Sequence, residues 1–201
     1  MKKYFTLKNI AVIATFTAIS AILYCVPGFQ FSLGFAPAFL KLHFEEIPVL
    51  ISAFAYGPFV GTIVLLLKCL IKLPMDMNNM GIGVLADFIY GLFLVIPASI
   101  IYKKNHTFKG AIIALIVAFL ANLFVSGVLG LYIIFPLYKI VYGDFVLNSF
   151  QAFDKSITSL SSPKIIYEFL LPFNAIRASI VCGATLLVYK PLKSLINRNY
   201  N

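Results

Sequence analysis

The stretch LKLHFEEIP, residues 40–48, is a charged island in an otherwise apolar half of the chain. It carries Lys41, His43, Glu45 and Glu46 between two runs of almost pure hydrocarbon. Over the whole sequence of 201 residues, 61% are hydrophobic and 11% are charged. A water-soluble domain of this size needs more polar surface to cover its core. The composition therefore predicts an integral membrane protein in which nearly the whole chain is membrane domain.

Six apolar segments, bounded by proline, glycine and polar turn residues, predict six helices. Because a membrane span needs roughly 20 residues, a chain of this length has room for about six of them. The predicted helices cover residues 8–26, 45–56, 59–73, 82–102, 111–135 and 165–189, with Pro136 ending the fifth. An irregular loop is expected between the first two helices and a long polar link over residues 138–164. The expected fold is all-α, with residues 1–201 forming a single six-helix membrane domain.

The basic residues predict how this domain is oriented. With six helices, both termini share one side with the loop between the fourth and fifth helices. The segments on that side contain nine basic residues and no Asp or Glu. The basic residues are Lys2, Lys3, Lys8, Lys103, Lys104, Lys109, Lys190, Lys193 and Arg198. The positive-inside rule then makes both termini cytoplasmic and the first loop extracellular, with the charged island at the outer mouth of the bundle. Because the basic residues lie in separate segments, the net charge of +9 does not indicate a nucleic-acid surface.

Polar residues inside the predicted spans are the best pointers to a site, since each is costly to insert in lipid. Asn174 and Arg177 lie three residues apart on one helical face. An arginine at the centre of a span costs about 2.5–3.5 kcal/mol, so Arg177 either serves a ligand site or reaches towards the outer surface. Asp87 pairs with Arg177 or accepts hydrogen bonds from a ligand, and both options place it inside the bundle. Lys68 is expected simply to reach the outer surface.

Two further patterns each leave two interpretations open. The first loop is rich in phenylalanine, either as a lid over an apolar ligand or as a belt at the membrane interface: Phe29, Phe31, Phe35, Phe39 and Phe44. On the first helix, four small residues lie within about 80° of one face: Ala11, Ala14, Ala18 and Ala21. Such a stripe allows close helix–helix contact in lipid. Its partner is a helix of this chain or a second protein, and the residues alone favour the same chain.

Catalysis is not indicated by any motif. His43 and His106 are isolated, and there is no Ser/His/Asp set, no paired-carboxylate set and no P-loop. The three cysteines are scattered without metal-ligand or disulfide spacing, so neither a metal site nor a cofactor is expected: Cys25, Cys69 and Cys182. The chain is therefore not expected to be an enzyme. If it is part of an active transporter, another protein has to supply the ATPase that drives transport.

Four stretches, in order, resemble the riboflavin-specific S components of energy-coupling factor (ECF) transporters. They are FLKLHFEEIPVLISAFAYGPFVG (39–61), GVLADFIYG (83–91), FPLY (135–138) and PFNAIRASIV (172–181). The pattern Lys-x-x-Phe-x-x-Ile-Pro followed by Gly-Pro-x-x-Gly is fairly specific in combination. The resemblance covers nearly the whole chain.

The resemblance implies a six-helix protein of the bacterial plasma membrane that binds a vitamin from outside. It implies docking, through small residues on the first helix, onto a transmembrane T component driven by two ATP-binding subunits. Ala14 and Ala18 have the spacing of that docking motif, which favours an external partner. The implied ligand is riboflavin, as transported substrate, and the implied ligand-binding residues are Phe39, Leu40, Lys41, Leu42, Asp87, Asn174 and Arg177.

The chain departs from the family pattern at several polar positions. Leu65, Cys69, Val84, Asp87 and Gly130 stand where relatives usually carry other hydrogen-bonding groups, and Arg177 stands where lysine is usual. Because arginine presents a planar fork suited to carboxylate or phosphate, an acidic or phosphorylated ligand stays open.

Four hypotheses follow. The first is a substrate-binding subunit for flavin uptake, and the second is the same machine carrying folate, pantothenate or a nucleoside-like compound. An intramembrane enzyme and a ligand-free scaffold are the remaining two. The polar groups at depth count against a scaffold.

Overall fold

The computed structural model describes residues 7–197 and consists almost wholly of helices. These are α1 (Leu7–Cys25), α2 (Glu46–Tyr56), α3 (Pro58–Lys72), α4 (Ile82–Lys104), α5 (Phe108–Leu129), α6 (Phe135–Tyr142), α7 (Phe145–Gln151) and α8 (Leu171–Asn197). In the first loop, strands β1 (Phe31–Ser32) and β2 (Lys41–Leu42) pair antiparallel. Lys2, Lys3 and Arg198, which support part of the predicted orientation, lie outside the described residues.

The short helix α2 forms the centre of the bundle. It contacts α1, α3, α4 and α8, and nine of its eleven residues are buried. A helix that is apolar on every face belongs inside a protein or a membrane. Gly57 ends α2 with a φ of 91°, which glycine adopts without strain, and Pro58 begins α3 at once. A side chain at Gly61 would approach Cβ of Ala53 to 2.4 Å, so the Gly-Pro-x-x-Gly motif packs α3 directly against α2.

Among the described residues, four helical runs are long and apolar enough to cross a membrane. They are Pro58–Met77, Ile82–Lys104, Phe108–Tyr142 and Ile165–Leu192, while the apolar runs Asn9–Cys25 and Glu46–Tyr56 are shorter. The mostly helical fold expected from the composition is confirmed. Each of the six predicted segments overlaps one of these helical runs, although Val26 and Glu45, at the ends of the first two segments, lie outside the helices.

The prediction that Pro136 ends the fifth helix is wrong. A wider helical turn at Gly130–Ile134 connects α5 to α6, so the helical run continues to Tyr142. Pro136 lies in the first turn of α6, directly after this wider turn. Part of the expected polar link is helical as well, since α7 lies within it.

Two apolar clusters flank the region where polar residues collect. The larger cluster joins α1 to α5 and α8 around α2, and includes Val49, Leu50, Phe54, Leu65 and Leu94. The second lies beneath α6 and α7, and includes Phe135, Phe150, Ile157, Phe169 and Phe173. Phe39 and Leu40 of the first loop pack against this second cluster.

Candidate functional site

The guanidinium of Arg177 binds three carboxylates: that of Asp87 on α4, that of Glu46 on α2 and that of Glu45 in the turn before α2. Arg177 of α8 donates from Nη1 to Asp87 Oδ1 at 2.8 Å, and from Nη2 to Glu45 Oε1 and Glu46 Oε1 at 3.1 Å each. The arginine is 5% exposed, so it does not reach for the surface. The predicted pairing of Asp87 with Arg177 is confirmed. Buried charges of this kind persist in a low-dielectric interior because each offsets the desolvation of the other.

The expectation that Lys68 reaches the outer surface is wrong. Its side chain is fully buried, and Nζ lies 3.0 Å from Glu45 Oε1. Glu45 and Glu46 are buried too, so the carboxylates of the charged island point into the bundle and not outwards from its mouth. The reason is that cations from α3 and α8 converge on them from inside.

Helix α1 is tied to this network by two hydroxyls. Tyr24 donates to Asp87 Oδ2 at 2.5 Å, and Ser20 donates to the backbone oxygen of Glu45 at 2.5 Å. The Tyr24 ring lies 4.9 Å from Lys68 Nζ, within the range of a cation–π contact. The charged network therefore joins five helices, since α1, α2, α3 and α4 contribute to it together with Arg177 of α8.

Two adjoining cavities lie beside the network. The larger has a volume of about 330 Å³, within the lower range of small-molecule sites, and the smaller about 80 Å³. Both are lined by the same six residues: Phe39, Lys41, His43, Gly83, Asp87 and Tyr138. They are two compartments of one site, bounded by the first loop, α4 and α6.

Most of the predicted ligand-binding residues come together around these cavities. Phe39, Lys41 and Asp87 line both compartments, and the smaller is also lined by Leu40, Asn174 and Arg177. Leu42 of β2 is buried and lines neither of these two cavities.

The Nε–H group of Arg177 is a hydrogen-bond donor that the ion pairs do not use. Within the described part of the chain, its buried Nε has no hydrogen-bond partner. Both Nη atoms already donate to carboxylates, and Nε–H is free to donate to an acceptor on a ligand in the smaller cavity. Asn174, one turn earlier, donates Nδ2 to Leu170 O at 2.9 Å, which fixes its side chain at the same wall.

Several lining residues were missed by sequence reasoning. Tyr138, Tyr142, Phe145 and Val146 come from α6, α7 and their connection, a region predicted as a mostly polar link. The aromatic residues there, beginning with the FPLY stretch, were the available signal. Tyr24, Gln30 and Lys72 also line the larger cavity, and no spacing in the sequence relates them to it.

His43 was noted only as an isolated histidine, yet it lines both compartments. Its ring meets that of Tyr24 edge-on at 5.2 Å between centroids. Burial lowers the pKa of His43 below its ordinary value, although Glu45 and Asp87 act in the opposite direction. The lowered pKa favours the neutral imidazole.

The phenylalanines of the first loop divide between the two predicted roles. Phe39 lines the cavities and packs against Tyr138 and Phe150 at centroid distances of 5.9 and 5.7 Å. Phe29 and Phe31 are 40% and 48% exposed, as side chains of a membrane-interface belt would be. Phe39 thus lines the cavities, and the exposed pair belongs to the outer surface of the loop.

The alanine stripe of α1 is divided in the same way. Ala14 and Ala18 are exposed, whereas Ala21 is buried in the bundle. Packing within the same chain, which the residues alone favoured, does not hold at Ala14 and Ala18. They form a small-residue surface directed away from the rest of the protein.

Departures from the family pattern fall into two groups. Leu65 and Cys69 are buried in the main apolar cluster, and a side chain at Gly130 would come within 2.4 Å of Leu170 Cδ2. These three positions serve packing. Val84, Asp87 and Arg177 line the cavities, so these three departures change the cavity walls.

The apolar helical runs enclose a polar site with two cavities. These features define the class of the protein, an integral membrane protein that binds a small ligand. The family described as "ECF transporter, substrate-specific component" matches residues 8–189, and the chain belongs to that family. The family is one of transporter components, so the chain is not an enzyme.

Individual relatives agree with this assignment. The chain is 28% identical over 185 residues to "Riboflavin transporter RibU" of Staphylococcus aureus (strain TCH60), covering 92% of this chain and 91% of the relative. It is 24% identical over 193 residues to "Riboflavin transporter FmnP" of Bacillus subtilis (strain 168), covering 95% of each. A solved structure described as "Structure and mechanism of the S component of a bacterial ECF transporter" superposes with a TM-score of 0.72 and 26% identity. The match covers 94% of this chain and 97% of that one.

Proposed function

We propose that this chain is the substrate-binding subunit of an ECF uptake transporter and captures riboflavin from outside the cell. The observation that carries the proposal is the two-compartment cavity, in which Phe39, Asp87, Asn174 and Arg177 meet at one site. Relatives that match over nine-tenths of the chain are named as riboflavin transporters, which supports the same ligand here.

The chemistry of the site suits a flavin. The isoalloxazine ring has apolar faces and polar edges, and the rings of Phe39 and Tyr138 offer aromatic surface to those faces. Arg177 Nε–H is available to a ring carbonyl oxygen. Asp87, His43 and Gln30 line the larger compartment, where polar groups can meet the ribityl hydroxyls. Because Asp87 already pairs with Arg177, the site does not demand an anionic ligand.

The cavity walls favour the topology expected from charge. Lining residues come from the first loop, from the turn between α3 and α4, and from the region of α6 and α7. All three segments lie on the side that the positive-inside rule places outside. We infer six spans, formed by α1, α2, α3, α4, the run from α5 to α6, and α8, with both termini cytoplasmic and the extracellular first loop over the ligand. Phe39, Leu40 and Lys41 are the part of that loop at the cavities.

Energy must come from partners, since the chain has no P-loop. We infer that a transmembrane T component and two ATP-binding subunits supply it, as the family membership suggests. Ala14 and Ala18 form the contact surface on α1, because two exposed small residues one turn apart let another helix approach closely.

A fluorescence titration tests the ligand. Riboflavin fluorescence should be quenched on addition of the detergent-purified chain, saturating at one ligand per chain, with folate and pantothenate failing to compete. Quenching that pantothenate or folate reverses would move the ligand to that compound. Without saturable quenching, the flavin assignment would be wrong.

A further inference from the structure

Three side chains of metal-ligating types converge next to the ligand site. One donor atom from each of His43, Glu45 and Asp87 lies within 4.8 Å of the others, and all three residues are buried. They come from the end of the first loop, the residue that precedes α2, and the middle of α4. The fold thus brings together groups that lie up to 44 positions apart in the chain, counting from His43 to Asp87.

Two of these metal-ligating residues carry an atom without a hydrogen-bond partner among the described residues. Among the described residues, neither Glu45 Oε2 nor His43 Nδ1 has a hydrogen-bond partner, and the Glu45 side chain is 0% exposed. The two atoms face each other at 3.8 Å. This distance exceeds a hydrogen bond, so a proton shared between them would not bridge the gap. A buried, unpaired carboxylate oxygen is costly, and something positive is needed there.

The charges of the network lead to the same conclusion. Three carboxylates, Glu45, Glu46 and Asp87, share two cations, Lys68 and Arg177. Both cations bind Glu45 through Oε1, which leaves Oε2 to a third positive partner. Counted in their ordinary ionised forms, these five side chains carry one net negative charge in a buried place, where an added cation is favourable.

We propose that His43, Glu45 and Asp87 form a binding site for a divalent metal ion of the zinc type. Imidazole nitrogen and carboxylate oxygen are ordinary zinc ligands at about 2.0–2.2 Å, which places two donors of a tetrahedral ion roughly 3.4 Å apart. The separation of 3.8 Å between His43 and Glu45 is close to that value. Calcium and magnesium prefer sets made of oxygen alone, so the nitrogen donor favours zinc.

The fourth coordination position would face the ligand site, since His43 and Asp87 line both cavities. An ion of charge +2 changes the net charge of the network from −1 to +1. A hydroxide or an ionised ligand atom in the open position balances that charge. The site is defined by this chain's own residues and does not depend on riboflavin being the transported ligand.

Calorimetric titration of ZnCl2 into the tag-free, metal-stripped full chain in detergent tests the proposal. The expected result is one Zn²⁺ per wild-type chain. His43→Ala should lose this binding, while His106→Ala, which removes the other of the chain's two histidines, should keep it. Because a variant can fail to fold, Co²⁺ is also added to the wild type, where tetrahedral coordination gives intense visible absorption bands.

Each outcome decides a different point. A wild-type chain that quenches riboflavin but takes up neither Zn²⁺ nor Co²⁺ would overturn the metal site and leave the flavin site standing. Equal Zn²⁺ uptake by both histidine variants would also overturn it, since the ion would then lie elsewhere. A chain that binds Zn²⁺ at His43 but ignores riboflavin would contradict the proposed function alone.

Discussion

Arg177 Nη1 lies 2.8 Å from Asp87 Oδ1, although the two residues are 90 positions apart in the chain. This contact joins α8 to α4 at the wall of the smaller cavity. The contact also explains how both charged side chains can be buried, because either one alone would be costly to bury and each supplies the countercharge of the other. The predicted ligand site is thus built around an ion pair that the fold itself requires.

The coupling of this pair should be measurable. We expect Asp87→Asn and Arg177→Gln each to destabilise the protein, and the double variant to be less destabilised than the sum of the two. A coupling energy of about 0.5–3 kcal/mol is typical of residues in one charged network. Unfolding in increasing sodium dodecyl sulfate, followed by circular dichroism, gives the four free energies. Strict additivity would mean that the two side chains do not interact in solution.

Lys68 provides a stricter test of the buried network. Lys68→Met should cost about 3–5 kcal/mol of stability, since removing one partner leaves Glu45 underpaired in the interior. Lys139→Met is the matched control, because Lys139 of α6 is exposed. Melting curves of the two variants in one detergent make the comparison. Equal melting temperatures would show that Lys68 reaches solvent, as the sequence alone had predicted.

Phe39 should contribute to ligand affinity. Aromatic stacking on a planar base is worth about 1–3 kcal/mol, so Phe39→Ala is expected to weaken riboflavin binding by roughly 5- to 150-fold. Phe31→Ala serves as the control, since Phe31 lies in the same loop but is 48% exposed and does not line the two cavities. Quenching titrations on both variants measure the effect. If Phe31→Ala has the larger effect, the flavin ring does not stack on Phe39.

The exposed alanines of α1 separate binding from transport. Ala14→Trp should leave riboflavin binding to the purified chain unchanged and abolish uptake by cells, because the bulk blocks a close helix contact. Ile19→Trp adds the same side chain at an exposed position about 140° further around α1. Uptake of labelled riboflavin is the readout. Normal uptake with Ala14→Trp would place the docking surface on another helix.

One loop contact is expected to respond to acid. Asp154 accepts hydrogen bonds from Ser156 N and Oγ and from Lys164 Nζ, which lower the pKa of Asp154 from 3.8 to about 2. The contribution of this turn to stability is complete above about pH 4 and is lost as the pH falls through about 2. The carboxyl carbon shift of Asp154, followed by NMR, should show a midpoint well below 3.8. A midpoint at or above 3.8 would show that these contacts do not form.

The sequence predicted the helices well because apolar runs bounded by glycine and proline are strong local signals. Arg177 and Asp87 were recognisable as site residues because charge within a span is rare. The burial of Lys68, Glu45 and Glu46 was not predictable, since a lysine near a span end and acids at a loop end look the same whether they point out or in. Only their mutual pairing across helices decides the direction.

The extra helices after α5 were missed for a different reason. Pro136 is an ordinary stop signal, and the wide turn at Gly130–Ile134 that lets the helix continue has no marker in the sequence. The aromatic wall of the larger cavity, with Tyr138 and Tyr142, depends on that continuation. Sequence reasoning therefore found one side of the site, made by the first loop, α4 and α8, and not the other.

An absorbance spectrum of the detergent-purified chain, taken from cells grown with riboflavin, tests whether this chain binds a flavin. We expect a yellow protein with a flavin spectrum and close to one flavin per chain after denaturation. A colourless protein that also leaves the fluorescence of added riboflavin unchanged would contradict it, and the cavity beside Arg177 would then belong to a different small molecule.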